Sequence, residues 1–203
     1  FRSMNLPNLL TISRVPFLFM IVALLYFKFQ WGPTIAVFLY IIASFTDWFD
    51  GYIARKWKIV TKLGTFMDAL IDKIFTLGVF TAMLVSDILP RHTVFSVLFI
   101  ITREFTITGL RTVAASQNIV IPAQGEGKIK TALQMISTVF LLCYNSLTVD
   151  FQWKYTYDDI AWVFYSGYWL FQAATVITIL SGVLYLVRFR HVFAEETKQK
   201  KTN

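Results

Sequence analysis

The sequence predicts an all-α integral membrane protein with six transmembrane helices and a short interfacial helix near its N-terminal end. Hydrophobic side chains make up 56% of the 203 residues and charged side chains only 15%. The mean hydropathy is +0.58, and apolar runs recur along the whole chain. Because the polar residues are too few and too clustered to cover a water-facing surface, this composition excludes an ordinary soluble domain.

The positions of the helices follow from the apolar runs and from the turn residues between them. A helix needs about 20 apolar residues to cross the hydrocarbon core of a bilayer. Breaks are predicted at Trp31-Gly32-Pro33, at Leu89-Pro90-Arg91, over 116–127 and over 150–159. The predicted spans are therefore 9–28, 34–55, 66–87, 93–115, 130–149 and 161–187.

Separate predictions can be made for the N-terminal and C-terminal ends of the chain. Residues 7–14 are expected to form the interfacial lead-in helix, and Pro16 to bend the chain into the first span. Residues 4–190 are predicted to form one membrane domain, followed by a charged cytoplasmic tail over 191–203. Residues 1–3 are expected to be left over from an expression tag.

The basic residues predict how the chain is oriented in the membrane and which kind of molecule it binds. The net charge is +7, but the cations sit in short clusters between apolar runs. This arrangement argues against nucleic acid and favours anionic lipid headgroups and phosphorylated substrates. Most loop cations fall on one side of the predicted spans, which places both termini in the cytoplasm. These are Arg55, Lys56, Lys58, Lys62, Arg111, Lys128, Lys130, Arg188 and Arg190.

Four aspartates are predicted to meet at one edge of the membrane. The second span ends with Asp47 and Asp50, and the third begins with Asp68 and Asp72. Side chains three or four residues apart share one face of a helix, and a short connection makes the two helices antiparallel neighbours. Each carboxylate costs about 2.5–3.5 kcal/mol to insert into a membrane, and four together repel one another.

Divalent cations are the natural counter-charge for these carboxylates. Carboxylate oxygens suit Mg²⁺ or Mn²⁺, and four of them can hold two ions that bridge a diphosphate. One cysteine, Cys143, and two histidines do not indicate a zinc cluster. Gly51 and Gly64 leave room for a nucleotide, and Arg55 can bind phosphate oxygens bidentately. The alternative is simple helix capping or pairing with nearby lysines, which the spacing of the aspartates disfavours.

The stretch that carries these residues resembles a known signature. Residues 47–72 are similar to the D-x-x-D-G-x-x-A-R-x8-G-x-x-x-D-x-x-x-D pattern of CDP-alcohol phosphotransferases, with every motif position filled. The resemblance implies that Asp47, Asp50 and Asp68 hold two metal ions. It also implies that Asp72 contacts a metal and serves as the general base.

The same resemblance has further implications for substrate and assembly. Gly51, Arg55 and Gly64 would line the site for the CDP group of CDP-diacylglycerol. The family implies a homodimer among the lipids of a bacterial inner membrane, with the active site open to the cytoplasm. The acceptor hydroxyl would attack the lipid-linked phosphorus directly, CMP would leave, and Asp72 would take the proton.

A second group of polar residues predicts where the acceptor binds. Arg103 and Arg111 are eight residues apart, about two helical turns, and can share a face that Lys128 and Lys130 close over. Such a basic pocket suits a phosphate, which makes sn-glycerol 3-phosphate the candidate acceptor. For the last three of these cations, ordinary contact with anionic lipid is the alternative.

Two segments narrow the acceptor further. Residues 102–111 and 125–131 resemble those of the bacterial phosphatidylglycerophosphate synthase branch of the family. The alternatives are the same chemistry with serine, inositol phosphate or phosphatidylglycerol as acceptor. A remote alternative is a cation transporter, which would place its acidic residues near the middle of the membrane instead of at one edge.

Overall fold

The computed structural model describes residues 6–27, 29–56, 62–116 and 126–188. Side chains are described at 12–27, 29–46, 64, 67–112, 114 and 129–188. The predicted remnant at 1–3 and the predicted tail at 191–203 lie outside the described residues.

Over the described ranges the chain is helical and contains no strand. The α-helices are α1 (Leu6–Tyr26), α2 (Gly32–Lys56), α3 (Lys62–Val85), α4 (Val94–Ser116), α5 (Glu126–Val149) and α6 (Tyr157–Arg188). A 3₁₀-helix, Arg91–Thr93, leads into α4. The all-α prediction is therefore confirmed for this part of the chain, and each predicted span coincides with one helix.

Several helices are apolar enough to cross a membrane. Three stretches have both the length and the hydropathy that a crossing needs: Arg91–Thr112, Ile129–Val149 and Tyr157–Arg188. Two shorter apolar stretches are Ile12–Tyr26 and Gly32–Thr46. The described part of the chain is helical and has the apolar helices of a membrane protein, and the number of six crossings stays a prediction.

The prediction of a separate helix over 7–14 is wrong, because a single helix, α1, runs from Leu6 through Pro16 to Tyr26. The interfacial position of its first residues and the bend at Pro16 stay predictions. Proline removes a backbone hydrogen bond from a helix, and its ring crowds the preceding turn. The packing of α1 against α2 and α3 outweighs that loss, because Leu18, Ile21 and Leu25 are buried on its inner face.

The helices pack around a main apolar core, and a smaller apolar cluster lies between α4 and α6. α1 contacts α2 and α3, whereas α5 joins α2 to α6 and α6 contacts α4. The rings of Phe80 and Phe171 meet edge to face at 5.2 Å in this core. A Cβ added at Gly78 would lie 2.7 Å from the Leu18 side chain, so the glycine permits the close approach of α1 to α3.

One carboxylate joins the helices at the end of the bundle away from the aspartate pairs. Asp150, just after α5, accepts hydrogen bonds from the backbone N–H of Trp31 at 3.1 Å and of Thr34 at 2.9 Å. The Thr34 hydroxyl donates to the same carboxylate at 2.6 Å. Asp150 therefore caps the start of α2, which agrees with the break predicted there.

Candidate active site

Asp68 and Asp72 lie one turn apart on α3, as their spacing predicts. Their side chains are each 53% exposed, so both carboxylates are accessible from outside the bundle. Arg14 of α1 contacts both, although its own side chain is only 2% exposed. Its Nη2 donates to Oδ1 of Asp68 at 2.8 Å, and its Nη1 lies 3.7 Å from Oδ1 of Asp72. The buried guanidinium therefore fixes the positions of both carboxylates.

Arg14 is absent from the site residues that the sequence predicts. The available signal was an arginine within the first apolar span. A guanidinium in that position needs a carboxylate or a phosphate to offset the cost of burying its charge. Which carboxylate it would meet was not evident, because the partner lies 54 residues further along the chain.

The other half of the predicted aspartate set lies on α2. Asp47, Asp50, Gly51 and Arg55 belong to the last three turns of this helix, but their side chains lie outside those that the structure describes. Gly64 belongs to the first turn of α3. Among the described side chains, no three acidic, histidine or cysteine groups gather into a metal site. The four-carboxylate site therefore stays a prediction.

Two cavities meet at Asp72. The α2-side cavity, of about 40 Å³, is lined in part by Arg14, Tyr40 and Ser44. The α4-side cavity, also of about 40 Å³, is lined in part by Glu104. The residues that line both are Asp72, Thr76, Phe80, Thr131 and Gln134. Asp72 is the acidic member of this shared wall, so its carboxylate can reach a group bound in either cavity.

An apolar groove continues from the α2-side cavity toward the outside of the bundle. It lies between α2 and α5 and is lined by Ile41, Phe45, Ile136, Val139 and Phe140, among others. Tyr40, Ser44 and Met135 line both the groove and the α2-side cavity. A molecule with a polar head and an apolar tail can therefore occupy the cavity and the groove together.

The α4-side cavity lies beside a cluster of buried charges. Lys130 of α5 is 4% exposed, and its ammonium forms an ion pair with Oε1 of Glu104 on α4. Nη1 of Arg103 lies 3.3 Å from the same carboxylate oxygen, and its Nη2 donates to Oγ of Ser181 at 3.2 Å. Glu104 thus brings together two of the predicted phosphate-binding cations. The sequence indicated a partner for Arg103, but it did not indicate that Lys130 shares it.

The remaining predicted acceptor residues are placed differently. Arg111, also on α4, donates from Nε to the Tyr185 hydroxyl at 3.0 Å, and its guanidinium lies 5.5 Å from the centre of that ring. This contact holds Arg111 against α6. Lys128 lies in the first turn of α5, and its side chain is outside those described. Lys73, which the prediction omits, lines the α4-side cavity next to Asp72.

Comparisons with known proteins identify the family. Residues 4–180 match the CDP-alcohol phosphatidyltransferase family. The chain is 39% identical to a protein of Bacillus subtilis over 153 residues, which cover 70% of this chain and 78% of that relative. It is 32% identical to a protein of Salmonella choleraesuis over 191 residues, or 90% and 93% of the two chains.

A third relative, from Rickettsia typhi, is 33% identical over 185 residues, which cover 89% of this chain and 94% of the relative. All three relatives are named CDP-diacylglycerol–glycerol-3-phosphate 3-phosphatidyltransferase. The resemblance found in residues 47–72 is therefore matched over most of the chain. The chain belongs to the CDP-alcohol phosphatidyltransferase family and is an enzyme of that family.

Proposed function

We propose that this enzyme transfers the phosphatidyl group of CDP-diacylglycerol to sn-glycerol 3-phosphate, giving phosphatidylglycerophosphate and CMP. The family and the names of the three relatives support this reaction. The structural observation that carries it is the position of Asp72 between two cavities. One cavity adjoins an apolar groove, and the other adjoins buried cations.

The α2-side cavity and the groove suit the lipid-linked donor. The acyl chains would lie against the apolar walls of the groove and stay in contact with the surrounding lipid, and van der Waals packing would hold them there. The head of the donor would then lie near the last turns of α2, which carry Gly51 and Arg55, and the first turn of α3, which carries Gly64. These three residues form the proposed CDP site.

Two divalent ions, Mg²⁺ or Mn²⁺, belong to this proposal, with Asp47, Asp50, Asp68 and Asp72 as the residues that would hold them. The described part of the site fits such ions, because Asp68 and Asp72 offer accessible oxygen donors one turn apart. When bound, the ions neutralise the diphosphate and make CMP a better leaving group. Arg14 keeps the two carboxylates of α3 in position.

The acceptor would bind in the α4-side cavity. The positive charges of Arg103 and Lys130, held together by Glu104, would attract and bind the phosphate of sn-glycerol 3-phosphate. Arg111 and Lys128 would add positive charge nearby. Asp72 takes the proton of the attacking hydroxyl as its oxygen forms a bond to the lipid-linked phosphorus. The bond from phosphorus to CMP breaks in the same displacement, so no covalent enzyme intermediate is needed.

We further propose the arrangement of this enzyme in the membrane. The helices would cross the bacterial inner membrane six times as one domain over 4–190. The cytoplasmic side would then hold both termini, the tail over 191–203 and the active site. The clusters of basic residues in the loops support this orientation. A homodimer is the assembly that the family resemblance implies.

The acceptor is tested by supplying purified enzyme with CDP-diacylglycerol and either Mg²⁺ or Mn²⁺. The acceptors to compare are sn-glycerol 3-phosphate, serine, inositol phosphate and phosphatidylglycerol, with CMP and lipid product as the readouts. We expect product with sn-glycerol 3-phosphate alone, and loss of activity when a chelator removes the metal. Product with another acceptor would overturn the assignment of Arg103 and Lys130. No CMP under any condition would contradict the reaction.

A further inference from the structure

The side-chain nitrogen of Gln134 is buried without a hydrogen-bond partner among the described residues. Gln134 lies on α5 and is 7% exposed. Among the described residues, its side-chain nitrogen Nε2 has no hydrogen-bond partner. Its backbone carbonyl is already used, because it accepts bonds from the hydroxyls of Ser137 and Thr138 at 2.8 Å each. Burial of an unpaired amide is unfavourable, so an amide kept at this place points to a partner that is bound from outside.

The position of Gln134 indicates which bound groups its side chain can contact. It lines both cavities, together with Asp72 and Thr131. It also lies four residues after Lys130, so the two side chains share one face of α5. Side chains on a helix lean toward its N-terminal end, which directs Gln134 toward the turn that carries Lys130. Gln134 thus shares both cavity walls with the proposed base and lies one turn of α5 from Lys130.

This order of residues matches the order of groups in a three-carbon acceptor. In the proposed reaction, the phosphate of sn-glycerol 3-phosphate binds at Arg103 and Lys130, and the attacking hydroxyl at the far carbon meets Asp72. The middle carbon then carries its own hydroxyl at the level of Gln134. A hydroxyl both donates and accepts a hydrogen bond, and an amide side chain offers both complementary groups.

We propose that the Gln134 amide hydrogen-bonds the middle hydroxyl of the acceptor and thereby selects a glycerol phosphate over a phosphate that lacks this hydroxyl. The inference rests on the proposed function, because it takes the acceptor phosphate and the attacking hydroxyl as placed there. It assigns to this chain a specificity-determining residue that neither the aspartate signature nor the cluster of cations contains.

The test compares two acceptors in the full-length enzyme with CDP-diacylglycerol and metal at saturation. One acceptor is sn-glycerol 3-phosphate, and the other is 3-hydroxypropyl phosphate, which lacks only the middle hydroxyl. The readout is the ratio of kcat/KM for the two. We expect wild type to favour the glycerol phosphate by about tenfold or more, because a site built for a hydroxyl discriminates against its absence. In Gln134→Met, which keeps the side-chain length, the ratio should fall toward one.

The matched control is Gln172→Met on α6. Gln172 accepts a bond from Ser96 at 2.9 Å and donates to Tyr168 at 3.1 Å, and it lines neither cavity. This variant should keep the wild-type ratio.

Two results would overturn the inference. The first is a wild-type enzyme that uses both acceptors equally, and this result does not depend on whether a variant folds. The second is a Gln134→Met ratio equal to that of wild type. In each case product forms with sn-glycerol 3-phosphate, so the proposed function stands. If wild type forms no product with it, the proposed function and the inference both fall.

Discussion

Nη2 of Arg14 on α1 lies 2.8 Å from Oδ1 of Asp68 on α3, and this arginine is among the most deeply buried side chains of the described residues. The contact joins the first helix to the helix that carries the proposed base. A buried guanidinium forks onto carboxylates in a geometry that lysine cannot reproduce. Arg14 therefore links the packing of the bundle to the position of Asp68 and Asp72.

The first prediction concerns Arg14→Gln. Loss of the guanidinium leaves Asp68 and Asp72 to repel each other, so we expect the enzyme to lose about 1–3 kcal/mol of stability and most of its CMP release. Thermal unfolding in detergent and CMP release measure the two effects. The control is Arg91→Gln, because Arg91 and its partner Asp87 are 92% and 74% exposed and their pair contributes little. Equal behaviour of the two variants would contradict this role of Arg14.

The second prediction concerns Glu104→Gln. The carboxylate contacts both Arg103 and Lys130, and its loss leaves two cations facing each other in a buried place. We expect the KM for sn-glycerol 3-phosphate to rise by about tenfold, because the acceptor phosphate loses its ordered cations. The KM for CDP-diacylglycerol should stay constant. A change in the donor KM with no change in the acceptor KM would refute the placement of the acceptor.

The third prediction uses two glycines. A Cβ at Gly182 on α6 would lie 2.7 Å from Cγ of Arg103, so Gly182→Ala must displace this arginine. We expect a higher acceptor KM. The control is Gly109→Ala on α4, where an added Cβ meets nothing within 4 Å. That change should leave the kinetics intact and stabilise the helix by up to about 1 kcal/mol. Steady-state kinetics with varied sn-glycerol 3-phosphate separate the variants, and identical acceptor KM values would count against the role of Arg103.

Much of the fold was accessible from the sequence because its signals are local. Apolar runs and turn residues marked each helix, and the break at Trp31-Gly32-Pro33 follows from residues next to one another. The prediction of a separate lead-in helix failed because α1 continues through Pro16, where tertiary packing outweighs a local helix-breaking preference. The spacing of Asp68 and Asp72 placed both carboxylates correctly along α3.

Parts of the candidate site depend on packing that sequence spacing does not reveal. Glu104 meets Lys130 across 26 residues, and Arg14 meets Asp68 across 54. Gln134 carries no motif signal, because a single glutamine in an apolar helix is recognisable only when its neighbours fail to pair with it. The four aspartates predicted to hold metal ions show the opposite situation. Its motif is complete in the sequence, and the side chains of Asp47 and Asp50 lie outside the described residues.

The most direct test of the central claim is the stoichiometry of products in wild type and in Asp72→Asn. Purified protein receives CDP-diacylglycerol, sn-glycerol 3-phosphate and Mg²⁺ or Mn²⁺, and both CMP and phosphatidylglycerophosphate are counted. We expect equal amounts of the two products in wild type. In the variant, both rates should fall together by about 10²–10⁴-fold, because the proton acceptor is lost, while CDP-diacylglycerol still binds. CMP formed without the lipid product, or a variant as fast as wild type, would contradict the account.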